Sequence, residues 1–371
     1  MLFSVSIADA ACTMTGAGDK SSVPVVASDT LASQPVATAD TAAGKELTIA
    51  MAGDIMMGTT YPDTVLPPND GKRLFSDVAK VLSEADVAAA NLEGTLSDTA
   101  SLAKEETKHT YAFRTPLRFA PRLGEAGFDF LSMANNHSFD FGISGVRSTE
   151  HALASQGIAY AGISSRKKCD VVERGGVRYG FCAFGHNGYT VRHQDLDGVK
   201  LLLDSISKIS DIVIVSFHGG AEGSKYSHLP YGKEMFLGED RGSLREFAHF
   251  CIDNGADVVY GHGPHVVRCV ELYKNRFIAY SLGNFCTPYG INVSGISGYA
   301  PVISVRVGRD GGFIDGQIHS FIQKRGIGPR RDSTNVVARQ IKNLTSADIK
   351  NGNLKISGSG QITPLQSKGK P

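Results

Sequence analysis

"IAMAGDIMMG", residues 49–58, begins as an apolar strand and ends on an acid, because Asp54 follows Gly53 and precedes a second apolar run, Ile55 to Met57, closed by Gly58. A single Asp at such a place ordinarily forms a turn or caps a helix. Here it is one of a set. "DVAAAN" (86–91) runs into "NLEG" with Asn91 and Glu93, and "FDFLSMA" (128–134) runs into "NNHSFD" with Asn135, Asn136, His137 and Asp140. "DIVIVSF" (211–217) delivers His218, and "ADVVYG" (256–261) delivers His262 and His265 in "HGPH". Each of five apolar, strand-like runs therefore ends in polar residues, and in an open α/β sheet such ends are neighbours in space.

Between these runs the apolar spacing becomes helical near residues 73–84, 117–126, 143–156 and 241–254. Two hairpin patterns join them: "VVRCVELY" and "RFIAYSLG" about Lys274-Asn275, and "PVISVRVG" and "GFIDGQIHSF" about "RDG". Alternating βα units with hairpins predict an α/β (α+β mixed) domain of two packed mixed sheets with outer helices. The expected organisation is a signal remnant and disordered Ser/Thr/Ala-rich tether over 1–45, the domain over 46–325, and a peripheral helix with a loose tail over 326–371.

The 371 residues are 42% hydrophobic and 20% charged, enough for one large core or two modest ones. With 38 basic and 37 acidic side chains, no global field recruits nucleic acid, and nucleic acid is not an expected partner. No run approaches the roughly 18 apolar residues that span a bilayer, so no transmembrane helix is expected. Cys12, Cys169, Cys182, Cys251, Cys269 and Cys286 form no CxxC, and apolar surroundings such as "GFCAFG" predict packed thiols. A disulfide among some of them stays open. The start, "MLFSVSIADAACT", has a short apolar run and a small-residue "ADA" without a basic leader, and Cys12 stands where a lipoprotein cysteine would, with Asp9 where Leu is usual. With the tether behind it, this start predicts a place outside the cytoplasm, in the cell envelope, with Cys12 as the candidate lipid anchor.

The polar clusters hold the donor types that bind divalent cations. Carboxylates of Asp54 and Glu93, an Asn amide oxygen and the imidazoles of His218, His262 and His265 suit one or two ions of Mn, Fe or Zn. Two such ions about 3.5 to 4 Å apart clamp the attacking and leaving oxygens of phosphoryl hydrolysis. His262 and His265 lie in a Gly/Pro turn, so their HxxH is not that of a helical zinc protease. Arg114, with Lys108 and His109 nearby, is a candidate contact for an anionic substrate.

At these residues the chain resembles the bacterial CapA family, the capsule-synthesis or PGA-cap proteins named for poly-γ-glutamate capsule formation. "AGDIMMG", "NLEGTLSD", "YAFRTP", "GFDFLSMANNHSFDFG", "HGGAEG", "NGADVVYGHGPHVVRCVELY" and "YSLGNF" carry the resemblance in order across about residues 47 to 290. It implies a four-layer αββα sandwich like that of calcineurin-type metallophosphoesterases. It also implies Asp54 as a first-strand metal ligand, Glu93 as the bridging carboxylate and Asn136 as an amide ligand. His218, His262 and His265 would complete the coordination, and His137 would act as proton donor or oxyanion stabiliser. Asn91, Asn135, Asp140, Glu222 and Asn284 would support ligands or meet substrate. The chain departs from the phosphoesterase pattern at Met56, where a second His is usual, at Glu93, where Asp is usual, and in HxxH where HxH is usual. The implied function is metal-dependent hydrolysis or transfer on an anionic capsule-type polymer, its anchored intermediate or another phosphoester, alongside capsule synthesis or export machinery. Its rivals are a non-catalytic polymer-binding or export module and a general phosphodiesterase.

Overall fold

The computed structural model describes residues 46–105 and 110–365. Cys12, the tether, Lys108 and His109 lie outside the described residues. The first strand, Leu47–Ile55, is the spine of a nine-stranded sheet. On one side it pairs in parallel with Val87–Leu92, which leads to Phe130–Ser132 and then Ala159–Ala161. On the other side it pairs antiparallel with Val302–Val307, followed by Phe313–His319. A short strand, Asn284–Cys286, pairs in parallel with the last residues of the spine, which sets Asp54 opposite Asn284.

The second sheet has six strands. Val177–Phe184, Ile212–His218, Val258–His262 and Arg276–Ala279 run parallel, and hairpins add Cys169–Arg174 at one edge and Val270–Tyr273 at the other. Lys274 and Asn275 both take φ near the left-handed region, at 47° and 60°, as a tight hairpin turn requires. In register, His262 stands directly opposite His218.

Strand alternation explains the layering. Ile49 and Met51 of the spine join Phe130, Phe181, Ile214 and Val258 in a core between the sheets, where the rings of Phe130 and Phe181 stack 4.3 Å apart. Ala50 and Ala52 face the other way, against Val81, Leu82, Leu123, Val146 and Leu153 of the helical layer. The helices Leu196–Ile206 and Leu244–Asp253 cover the second sheet through Val199, Leu203, Phe247 and Cys251. The order is helix, sheet, sheet, helix.

One expectation is corrected. The C-terminal region is neither peripheral nor loose as far as Pro364: Leu354–Ile356 and Gln361–Pro364 pair onto Phe313–His319 and extend the large sheet. The helix Val336–Asp348 buries Val337, Ala338, Ile341 and Leu344 in the large core cluster to which both sheets contribute, because these residues recur on one helical face. Cysteine usage also divides. Cys169 and Cys182, opposite one another on neighbouring strands, form a disulfide, while Cys251, Cys269 and Cys286 are buried thiols.

Candidate metal centre

The C-terminal ends of both sheets' parallel strands meet at one rim. Asp54 reaches it because the chain at Gly53 passes so close to the Gly283 carbonyl that a Cβ would lie 1.9 Å from that oxygen. Only glycine fits there. The Asp54 amide then donates to Gly283 O at 2.9 Å, and its carboxyl is fully buried. His265 stands with φ +57°, in the left-handed region that non-glycine residues seldom adopt. That backbone turn, following Gly263 and Pro264, swings the ring back toward Asp54 and explains how a three-residue spacing still places both histidines of HxxH at the centre.

Asp54 is shared by two clusters of donor atoms. In one, Asp54, His218 and His262 lie with ligand atoms within 4.8 Å of each other, and in the other Asp54, Glu93 and His265 do. Asp54 Oδ1 is 3.7 Å from His262 Nδ1, which is 3.0 Å from His218 Nδ1. Asp54 Oδ2 is 3.1 Å from His265 Nδ1, and Glu93 Oε1 is 3.6 Å from His265 Nε2. Among the described residues the geometry therefore makes Asp54 the carboxylate common to both groups, a place expected for Glu93.

The donors fit a cation on a specific ground. Both carboxylate oxygens of Glu93 are buried without a hydrogen-bond partner, and so is His218 Nε2. Buried polar atoms are normally satisfied, and an orphaned carboxylate is costly. Burial, and then the charge of Asp54, pushes the Glu93 carboxyl well above its usual range. Burial opposes a charge on His265, yet Glu93, Asp54 and Glu222 outweigh it and raise that ring to about 10. What suits a cation here is the pair of buried Glu93 oxygens that no hydrogen bond satisfies.

Support around these donors is dense. Asn91 Nδ2 donates to Asp54 Oδ1 at 2.8 Å, and Asn135 Nδ2 donates to Asn91 Oδ1 and to Leu92 O. Asn284 Oδ1 meets His265 Nδ1 at 2.9 Å, while its amide nitrogen lies within hydrogen-bond distance of three carbonyls. Ser216 Oγ lies 2.9 Å from His262 Nε2. These partners fix ring and carboxylate orientation, as outer partners of metal ligands do. Strand alternation could have flagged Ser216, two residues before His218 on the same face, although the sequence reading passed over it.

His137 sits at the open side. Its Nδ1 is 2.9 Å from Asp140 Oδ2, and its Nε2 is 4.0 Å from Glu93 Oε1. Asp140 also accepts from the Phe113 amide and pairs with Lys104, a residue that sequence reasoning missed. Burial lowers the His137 pKa against the opposing pull of Asp140, so the ring is neutral with its Nδ1 proton directed at Asp140. Asn136 leaves its Oδ1 buried and unpartnered, and lines a cavity of 470 Å³ together with His137, His265 and Glu222. Glu222 Oε2 is 3.9 Å from His265 Nε2, and its other oxygen pairs with the buried Arg241 at 2.8 Å. Arg114 does not join this cavity. Its guanidinium donates to Thr60 and to the Ala100 carbonyl and rests on the Phe141 ring, which makes it a brace between loops and corrects its place among substrate contacts.

Residues 48–289 match the family model described as bacterial capsule synthesis protein PGA_cap. The PGA biosynthesis protein CapA of Bacillus subtilis is 29% identical over 260 residues, covering 66% of this chain and 64% of that protein. The capsule biosynthesis protein CapA of Bacillus anthracis is 30% identical over 267 residues, covering 66% and 61%. The chain thus spans a little under two thirds of the length of these relatives. Among solved structures, calcineurin-like phosphoesterase YfkN from Bacillus subtilis aligns at 12% identity with a TM-score of 0.43, over 82% of this chain and 100% of that one. A phosphatase of Mycoplasma pneumoniae aligns at 14% with a TM-score of 0.47, over 80% and 97%. The layering described above comes from this chain's own sheet order and packing and needs neither superposition. With more than half its length under one family model, and with the Asp54, Glu93 and His137 clusters inside the matched span, the chain belongs to the bacterial capsule synthesis PGA_cap family.

Proposed function

We propose that the chain is a metal-dependent hydrolase or transferase of the phosphoesterase type, acting outside the cytoplasm on an anionic capsule-type polymer or its anchored intermediate. The single observation that carries the hydrolase reading is the pair of orphaned Glu93 oxygens beside Asp54 and His265, the last of which lines an open cavity. Asp54, His218 and His262 would hold one divalent ion, and Asp54, Glu93 and His265 a second. Bound there, such ions supply Lewis-acid polarisation of a phosphoryl or acyl oxygen. Asn136, with its free Oδ1 on the same cavity, adds an amide donor to the second position.

The protein's own part is proton handling and orientation. Because Asp140 engages the Nδ1 proton of His137, Nε2 faces the cavity and is the atom that exchanges a proton with a substrate oxygen. Lys104 balances the charge of Asp140, so the dyad keeps its geometry without an unpaired buried carboxylate. The polymer part of the reading is supported by the family and by the names of the Bacillus relatives, which concern PGA and capsule biosynthesis. The compartment is supported by the Cys169–Cys182 disulfide, since such bonds persist in oxidising surroundings.

The test is to purify the full chain, measure bound Mn, Fe and Zn, and assay phosphodiester, phosphomonoester and γ-glutamyl amide substrates beside His137→Asn. Turnover that depends on added metal and falls at least about a hundredfold in the variant supports the reading. Metal bound at full occupancy with no turnover on any of the three classes removes the enzyme and leaves a binding module.

A further inference from the structure

Away from the metal centre, one cavity is lined by cations and by no carboxylate. A hollow of 380 Å³ lies where the segment around Pro67 to Leu74 meets the turn at Lys324 to Ile327, and its charged walls are Arg73, Lys324 and Arg330, with no carboxylate. The cavity over the metal centre instead balances Lys104 and Arg241 with Glu105 and Glu222. Arg330 is fixed in place. Its guanidinium donates to the carbonyls of Arg73 and Leu74 at 2.8 and 3.2 Å, tying one wall to the other, and Asp77 stands 3.9 Å from its Nε. Arg73 and Lys324 are exposed, and among the described residues neither side chain has a hydrogen-bond or ion-pair partner. Two free cations over a floor of Leu74 and Ile327 make a receptor for a carboxylate on an aliphatic stem.

The hollow is next to the metal-side cavity. The Gly326 amide, in its wall, donates to Pro288 O at 3.0 Å. Gly290, Ile291 and Asn292 line the cavity over the metal centre. Pro288 and Gly290 are two residues apart, so their Cα atoms are separated by no more than about 7 Å. A single loop therefore presents one end to each cavity.

We infer that the Arg73–Lys324–Arg330 hollow is a second anion subsite, holding a carboxylate-bearing stretch of the polymer chain whose reacting unit lies at the metal centre. The inference rests on the polymer reading above and adds where the chain runs. A polymer that occupies both sites gains affinity through effective concentration, whereas a single unit does not. The hollow thus selects for length.

The experiment measures binding of a fluorescein-labelled oligoglutamate to the full chain by anisotropy, at physiological ionic strength, for wild type, Arg73→Glu/Lys324→Glu and the exposed control pair Lys208→Glu/Lys342→Glu. The expected result is a Kd raised about tenfold or more by the cleft pair and no more than about twofold by the control pair, with free glutamate a poor competitor. Equal losses in both pairs, no loss in the cleft pair, or a wild type that binds polyphosphate but not oligoglutamate would each overturn it. Repeating the titration on metal-stripped Asp54→Asn protein separates the two readings. Cleft-dependent binding that survives there upholds the subsite even where no ester is hydrolysed, and cleft-independent binding removes the subsite while leaving hydrolysis to its own assay.

Discussion

The two donor groups that share Asp54 differ in what encloses them. His218 and His262 come from adjacent strands of the six-stranded sheet, are completely buried, and have Ser216 and the neighbouring His186 ring behind them. Glu93 and His265 come from loops, and His265, though not the buried Glu93, lines a cavity with His137, Asn136 and Glu222. A strand-borne pair with fixed partners is preorganised, whereas a loop-borne pair at an opening exchanges with solvent and meets substrate. On the proposed reading, the buried group would hold a retained ion and the open group the ion that works on substrate.

Asp54→Asn is the sharpest way to break this comparison, because it removes the one carboxylate both groups use. Metal per chain should fall to near zero and turnover by at least about a hundredfold; retention of even one equivalent would show that Asp54 is not shared. Glu93→Gln should separate the groups. Metal content should fall by the open position alone, and the effect on stability should change sign with loading. In metal-stripped protein the substitution removes the cost of holding a charge on a buried carboxyl whose oxygens accept no hydrogen bond, and stability should rise. In metal-loaded protein it should lower it. Thermal melts with and without Mn read both signs, and a lower melting temperature in both states would refute the orphaned-carboxylate argument.

Much of this rim was legible in the sequence because it follows from periodicity. Apolar runs ending in Asp54, Glu93, His218 and His262 mark strand ends, and strand ends of one sheet are neighbours. Which carboxylate is shared was not legible, since it depends on the approach of two sheets and on the left-handed turn at His265, a conformation no local signal assigns to histidine. Arg114 failed for a similar reason. An arginine with Lys108 and His109 nearby reads as a substrate contact until the carbonyl of Ala100, fourteen residues away, is found against it. The last strands were missed because Leu354–Ile356 and Gln361–Pro364 are three and four residues long amid Gly and Ser, too short for a period-two pattern to stand out.

The Cys169–Cys182 disulfide tests the stability of the buried group's own sheet. It closes a 13-residue separation at an edge two strands from His218. Its loss through Cys169→Ser/Cys182→Ser should cost about 3 kcal/mol. Metal content should stay unchanged, since neither cysteine nor its strand carries a donor. A melting temperature unaffected by the double substitution would remove the bond's stabilising role, and a parallel loss of metal would show that the edge strand holds the buried group in place.

The smallest effect lies at His319, on the large sheet, and it separates charge effects at the rim from those elsewhere. Burial, then the nearby Arg331, lowers the His319 pKa from 6.5 to about 4, against partial opposition from Glu84. Ser304 Oγ, 3.2 Å from Nε2, keeps the neutral ring paired. An unfolded chain would protonate this histidine near 6.5, so between that pH and about 4 the unfolded state binds more protons than the folded one. Stability from this group is therefore complete above 6.5 and drains away as pH falls, by about 1 to 2 kcal/mol after allowance for its partial exposure. His319→Gln cannot titrate. Its melting temperature relative to wild type should rise steadily on acidification, and by the same amount with or without bound metal, because the group lies outside the donor clusters. A difference that stays constant across this range would show that the ring is solvated, and one that depends on metal would couple the large sheet's far strands to the centre.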